Sequence, residues 1–198
     1  HPGQTIGDPV QMLSEILRFL LEIGSSLFGA LLLARAWMYA VRLHPFNPMS
    51  QAIHQATNWL VIPLRKALPT TKSFDWPSIV AALIIALIFL LLMWVVSTGT
   101  LIPPSLLPAM ALAAVIAVAR WSLSLIVWMT LIQAVLSWVN PMATIMPVIR
   151  TLTEPLLLPI RRIMPNFGAL DLSPIALLIL AQIAMMVLNR ISFTLLGV

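Results

Sequence analysis

Two short stretches of this chain hold the residue types best suited to chemistry at a surface. Residues 57–69 read TNWLVIPLRKALP and residues 153–165 read TEPLLLPIRRIMP. Pro63 thus aligns with Pro159, Arg65 with Arg161, Lys66 with Arg162, and Pro69 with Pro165. Ten residues beyond each arginine stands an acid, Asp75 or Asp171, followed by a serine and a proline in swapped order. Upstream, Asn47-Pro48-Met49 answers Asn140-Pro141-Met142. A guanidinium can take two phosphate oxygens at once, so Arg65, Lys66, Arg161 and Arg162 are candidate contacts for anionic headgroups or a partner protein. Arg150, four residues before Glu154, joins them. These residues could equally do no more than fix topology. The recurrence of the basic pair and its prolines at identical spacing argues for more. Pro63, Pro69, Pro159 and Pro165 are expected to prevent one regular helix and to present each basic pair on a stiff turn. Asp75 and Asp171 read as clamps, each at a helix N-terminus and able to pair with the loop arginine.

Catalysis finds little support. A general acid–base pair would need a second group near each aspartate. Glu154 is the one candidate, and Asn58 stands at its counterpart position. Cysteine is absent, and His44 and His54 have no Asp or Glu at ligand spacing, so no metal site is expected. Gly-rich phosphate loops and Ser-His-Asp sets are absent as well. The expectation is a protein that is not an enzyme and uses no cofactor.

The elements that carry these stretches follow from composition. Hydrophobic residues make up 61% of the 198 and charged ones 9%, more apolar surface than so short a chain can bury against itself. Lipid must be the solvent. The formal charge is +5, and Arg42, Arg65, Lys66, Lys72, Arg150, Arg161 and Arg162 cluster in two loops. That pattern fits an anionic membrane surface. Direct nucleic-acid binding would want a polar domain with exposed aromatics, which the sequence lacks.

The first segment, about 10–41, opens with Glu15, Arg18 and Glu22 on one helical face and is apolar beyond Ile23. That run and those over about 77–96, 109–139 and 173–197 are each long enough to cross a hydrocarbon core of roughly 30 Å. The first reads as a true span and not as a cleaved leader. Ser173 is expected to cap the last helix, with Pro174 at its first position. Between the spans, Ser50–Leu60 and Thr144–Met164 read as amphipathic segments, too polar to cross. The expected fold is all-α, with four transmembrane helices as two tandem hairpin repeats over residues 10–96 and 109–197. Each repeat carries an amphipathic, proline-rich basic loop. The positive-inside bias puts both loops in the cytoplasm and both termini outside. Trp37, Trp76, Trp94 and Trp138 flank the spans as interface anchors.

The doubled pattern NP…T-x(5)-P-[LI]-R-[KR]-x-x-P-x(5)-D resembles the YggT (YlmG) family of small bacterial membrane proteins. The second copy, from Thr153 to Pro174, is close to the family pattern. The first departs from it, with Asn58-Trp59 in place of Glu154-Pro155 and Lys66 in place of an arginine. The resemblance implies two hairpin units in the bacterial cytoplasmic (inner) membrane. It also implies links to septation and envelope organisation or to osmotic and potassium stress. Plastid relatives are linked to nucleoid distribution and to assembly of membrane cytochrome complexes.

Polar residues within the spans complete the inventory. Arg35, near the loop end of the first span, is expected to snorkel to the interface. Arg120, Gln133, Gln182 and Arg190 lie at depths where a polar seam between the halves could form. Two functions follow. The leading expectation is a membrane scaffold or assembly factor that contacts anionic lipids and unidentified proteins through its basic loops. The alternative is an ion channel or transport component in osmotic stress, using that seam. The small-residue face Gly24, Ser25, Gly29, Ala30 could support a homo-oligomer.

Overall fold

Proline stands within the first two positions of every helix among the described residues. The computed structural model describes residues 7–43, 47–164, 168 and 171–197. Among them run six α-helices: α1 (Pro9–Ala40), α2 (Pro48–Ala67), α3 (Trp76–Thr98), α4 (Leu107–Val139), α5 (Met146–Ile163) and α6 (Ser173–Leu196). Each has proline at its first or second position, where the missing N–H would have no partner anyway. The side chains of Asp8 and Asn47 accept from the amides of Val10 and Met49 and so cap α1 and α2. Gly99 and Gly197, both left-handed, close α3 and α6. The last helix starts at Ser173 itself. The expected serine cap is not made, and Asp171 Oδ1 accepts from the Ser173 amide at 3.1 Å.

Four of these segments have the length and apolarity of membrane spans: α1, α3, α6, and α4 with the 3₁₀ turn before it. In each span window 17% or less of the residues are buried. The remaining apolar surface needs lipid, and the chain is a multi-pass membrane protein. At 1.5 Å per residue α3 and α6 are about 35 Å long, whereas α1 and α4 reach about 50 Å and overrun the core. The surplus of α1 lies at its start, where Val10, Leu13, Ile16, Phe19 and Leu20 are all exposed.

Helix α1 packs along α3, α4 along α6, and α3 and α1 both meet α4. The core of this bundle is built from Leu32, Leu33, Val61, Ala81, Ala82, Ala86, Ala114 and Val118. Its alanines let the helices approach closely, as small residues do in membranes. Gly29 serves the same end. A Cβ there would stand 2.4 Å from the Trp121 ring, so Gly29 faces α4 inside the bundle. Gly24, by contrast, has open space beside it.

Helices α2 and α5 are not long and apolar enough to count among the candidate spans. Ile53 of α2 and Val148 and Leu152 of α5 form a second cluster with Ala34 and Met38 of α1. This packing overturns the expectation of a broken, stiff-turned basic loop. Helix α2 runs through Pro63, and α5 runs through both Pro155 and Pro159. An interior proline costs a helix about 3 kcal/mol. Burial of Val61 and Leu157, each wholly inaccessible, holds these helices together across the lost hydrogen bonds. The basic pairs therefore sit on the last helical turns, where cations face the negative end of the helix dipole. Pro69 does act as a stop: Leu68 before it is extended at φ −116° and ψ 137°. Met164, which precedes Pro165 in sequence, is extended too, while Pro165 and His44 lie outside the described residues.

Candidate functional site

Where α1, α2 and α3 meet, a buried carboxylate is shared by several donors. Asp75 ends the loop after α2, and its side chain is 1% exposed. Its Oδ1 accepts from Arg65 Nη2 at 3.1 Å, and its Oδ2 accepts from the Ser78 hydroxyl at 2.6 Å. The position at a helix N-terminus is as expected, but the side chain makes no capping bond to the α3 amides. Arg35 reaches the same carboxylate, with Nε 4.0 Å from Oδ2.

Arg35 does not snorkel. Its side chain is 3% exposed, and Nη1 donates to Thr57 Oγ1 at 2.9 Å and to Asn58 Oδ1 at 2.8 Å. Thr57 in turn donates to the Ile53 carbonyl at 2.7 Å. The reason is geometric. Arg35 lies on the face of α1 that packs on α2 and α3, so the buried polar groups are nearer than the interface. Trp37 and Trp76 stand two residues and one residue from Arg35 and Asp75 in sequence, and tryptophan is a residue type that anchors at membrane interfaces.

The second copy of the motif folds into a more open version. Arg161 Nη1 donates to both Glu154 oxygens, at 3.0 and 3.1 Å. Its Nη2 lies 2.9 Å from Asp171 Oδ2, and Nε donates to that oxygen at 3.0 Å and to Ser173 Oγ at 3.2 Å. Side-chain exposure is 30% for Arg161 and 47% for Asp171. Partial burial disfavours both charges. For Asp171 the hydrogen bonds from the Ser173 hydroxyl and amide, with the Arg161 charge, outweigh it and hold the carboxyl below its ordinary value. For Arg161 the two carboxylates likewise outweigh burial and raise its pKa. Arg161, not Arg150, is thus the partner of Glu154. Arg150 is exposed, and no ion pair to it is formed among the described residues.

The two clusters differ in sign. Around Asp75 stand two guanidiniums and one carboxylate, and around Arg161 one guanidinium and two carboxylates. The difference traces to one aligned pair. Asn58 accepts from Arg35 in the first cluster, and Glu154 accepts from Arg161 in the second. Counted back from Asn140 as Arg35 is from Asn47, the matching residue on α4 is Trp128, which carries no charge.

Of the residues proposed to meet headgroups, Arg65 and Arg161 are therefore occupied within the protein. Lys66, Arg150 and Arg162 are exposed and, among the described residues, form no ion pair. The intramembrane seam is not assembled. Gln133 is buried with its Oε1 unpartnered, Arg120 is half-buried with Nε unpartnered, and Gln182 and Arg190 are exposed on α6. Among the described residues no hydrogen bond joins any two of the four. Arg120 and Gln133 lie on one helix about 20 Å apart, so depth alone could not make them neighbours.

The sequence model of the CCB3/YggT family matches residues 14–96 and 112–192. The chain belongs to the CCB3/YggT family. It is similar to an uncharacterized protein in the proC 3′ region of Vibrio alginolyticus, 34% identical over 170 residues, which cover 85% of this chain and 90% of that one. The uncharacterized protein YggT of Escherichia coli K12 is 32% identical over 168 residues, covering 84% and 86%. The uncharacterized protein PA0392 of Pseudomonas aeruginosa is 33% identical over 197 residues, covering 88% and 89%. No solved structure matches the chain. Both arginine–aspartate clamps fall within the stretches matched to the family.

Proposed function

We propose that this CCB3/YggT protein is a non-enzymatic scaffold or assembly factor of the bacterial cytoplasmic membrane, with its basic helices on the cytoplasmic side. Helices α2 and α5 lie along the leaflet, and Lys66, Arg150 and Arg162 contact anionic headgroups and partner proteins. One observation carries this reading. The fold consumes Arg65 and Arg161 in internal clamps, yet leaves three cations of the same two helices exposed and unpaired among the described residues. Each cation near an anionic leaflet adds roughly 1 kcal/mol of attraction. Organisation of the envelope or septum, or assembly of a membrane complex, is the process such a surface serves.

The test is photo-crosslinking in native membranes from exposed positions of the two helices, Gln51 and Thr151. Discrete protein adducts that disappear when Lys66, Arg150 and Arg162 are changed to Glu support the scaffold role. Adducts unchanged by that reversal sink it. Reversal of Arg161 would be a poor probe, because it would break the clamp as well as any contact.

A further inference from the structure

Between the loop-side end of α1 and helix α2 lies a cavity of about 460 Å³. Its wall carries Arg35, Arg42, Arg65, Lys72 and His54, with one acid, Asp75. That acid cannot balance the set. Both Asp75 oxygens are engaged, by Arg65 and by the Ser78 hydroxyl, and the buried Arg35 Nε has no hydrogen-bond partner. Among the described residues no second acid lines the space. Cations held together against low-dielectric walls repel one another and stabilise an anion that enters.

The backbone at Arg42 points the same way. Leu43 N–H bonds to the Met38 carbonyl and Arg42 N–H to the Tyr39 carbonyl, the pattern that ends a helix with a left-handed residue. Arg42 occupies that position at φ 56°, where α3 and α6 use Gly99 and Gly197. A side chain there is strained and glycine is not. Strain of this kind accompanies function more often than chance would place it. The loop that carries Lys72 is also tied down, since the Tyr39 hydroxyl donates to the Thr71 carbonyl at 2.9 Å. His54 Nδ1 stands 2.6 Å from the Ser50 carbonyl and must donate to it, which leaves Nε2 uncommitted by that bond.

We infer that this cavity binds a phosphate group, with Arg42, Lys72 and His54 facing it and Arg35 and Arg65, both held by internal partners, adding charge from behind. The space exceeds what a phosphate alone fills, so an ester substituent fits beside it. The phosphate belongs either to an anionic lipid headgroup, since the cavity adjoins the loop-side end of the span-length helix α1, or to a soluble compound. The inference stands on Arg42 and Lys72 and not on Lys66, Arg150 and Arg162, so it and the scaffold role can fail separately.

The experiment follows thermal unfolding of the full chain in a neutral maltoside detergent. Dihexanoyl phosphatidylglycerol, inorganic phosphate, or dihexanoylglycerol (the same chains without phosphate) is titrated in. A saturable rise in Tm with phosphatidylglycerol alone supports a lipid as the source, and a rise with inorganic phosphate supports a soluble one. A rise with neither, or an equal rise with dihexanoylglycerol, overturns the site. In the responding titration, Arg42→Gly with Lys72→Gln is expected to weaken binding at least about tenfold, because two charge-assisted contacts are lost. Glycine suits the backbone there, so folding should survive the change. Unchanged affinity in that variant overturns the inference. So does a loss of affinity confined to Lys66→Gln, Arg150→Gln and Arg162→Gln.

Discussion

Arg35 and Asp75 stand 4.0 Å apart, Nε to Oδ2, both almost wholly buried, and no hydrogen bond joins them. The two residues are 40 apart in the chain, one on α1 and the other just before α3, and each is held by other partners: Arg35 by Thr57 and Asn58, Asp75 by Arg65 and Ser78. The pair couples α1 to α3 through α2. An amphipathic helix outside the four candidate spans has thereby become part of the bundle's polar core.

Removal of that carboxylate should therefore be severe. Asp75→Ala leaves Arg35 buried without its counter-charge, a situation that costs about 3–5 kcal/mol. Asp171→Ala opens a half-exposed clamp, and exposed ion pairs contribute at most about 1 kcal/mol. Thermal unfolding of the two variants in detergent checks the contrast. Equal losses would mean that the two copies of the motif are energetically alike.

Gly29 gives a second test of packing. A methyl group at that position meets the Trp121 ring at 2.4 Å and must push it aside. Gly29→Ala should cost about 1–3 kcal/mol by overpacking. Combined with Trp121→Leu the loss should be less than additive, because the two residues share one space. An additive double variant would show that the contact does not matter.

The Asp171 clamp should respond to acid. Its carboxyl is held below the ordinary value, near 3.9 for an unperturbed Asp. The folded form thus binds its proton later than the unfolded form as pH falls. The clamp's contribution is fully present above the unfolded value and fades as pH drops through the lowered folded one. An NMR titration of the Asp171 carboxyl should show a midpoint below about 3.9, and Arg161→Gln should move it upward. A midpoint insensitive to Arg161 would leave the Ser173 hydrogen bonds as its cause.

Much of this architecture can be read from residue order. The four spans follow from apolar length, and the Arg65–Asp75 and Arg161–Asp171 pairs follow from a shared offset of ten residues. Arg35 was harder, because span position gives depth but not azimuth, and azimuth decides whether an arginine reaches water or a buried acid. A hint lay in the aligned pair Asn58 and Glu154. Where the second copy supplies a carboxylate the first has a neutral amide, which is what a cation brought from elsewhere would require. Azimuth likewise puts Gln182 and Arg190 on the exposed face of α6, away from the buried Gln133. The prolines differ for another reason: local propensity argues for a break at Pro63 and Pro159, and burial of Val61 and Leu157 outweighs it.

Arg42 offers the sharpest separation of backbone from side chain. Its φ of 56° is a conformation that costs a residue bearing a Cβ about 1–2 kcal/mol relative to glycine. Arg42→Gly should therefore stabilise the chain by about 1 kcal/mol in thermal unfolding without ligand. Arg42→Ala keeps the Cβ and removes the charge, so it gains only what relief of repulsion from Arg65 and Lys72 provides. If alanine stabilises as much as glycine, the strain at residue 42 is electrostatic and the left-handed backbone is incidental. If glycine alone stabilises, the chain bears a conformational penalty that only the arginine side chain, lining the cationic cavity, gives it reason to keep.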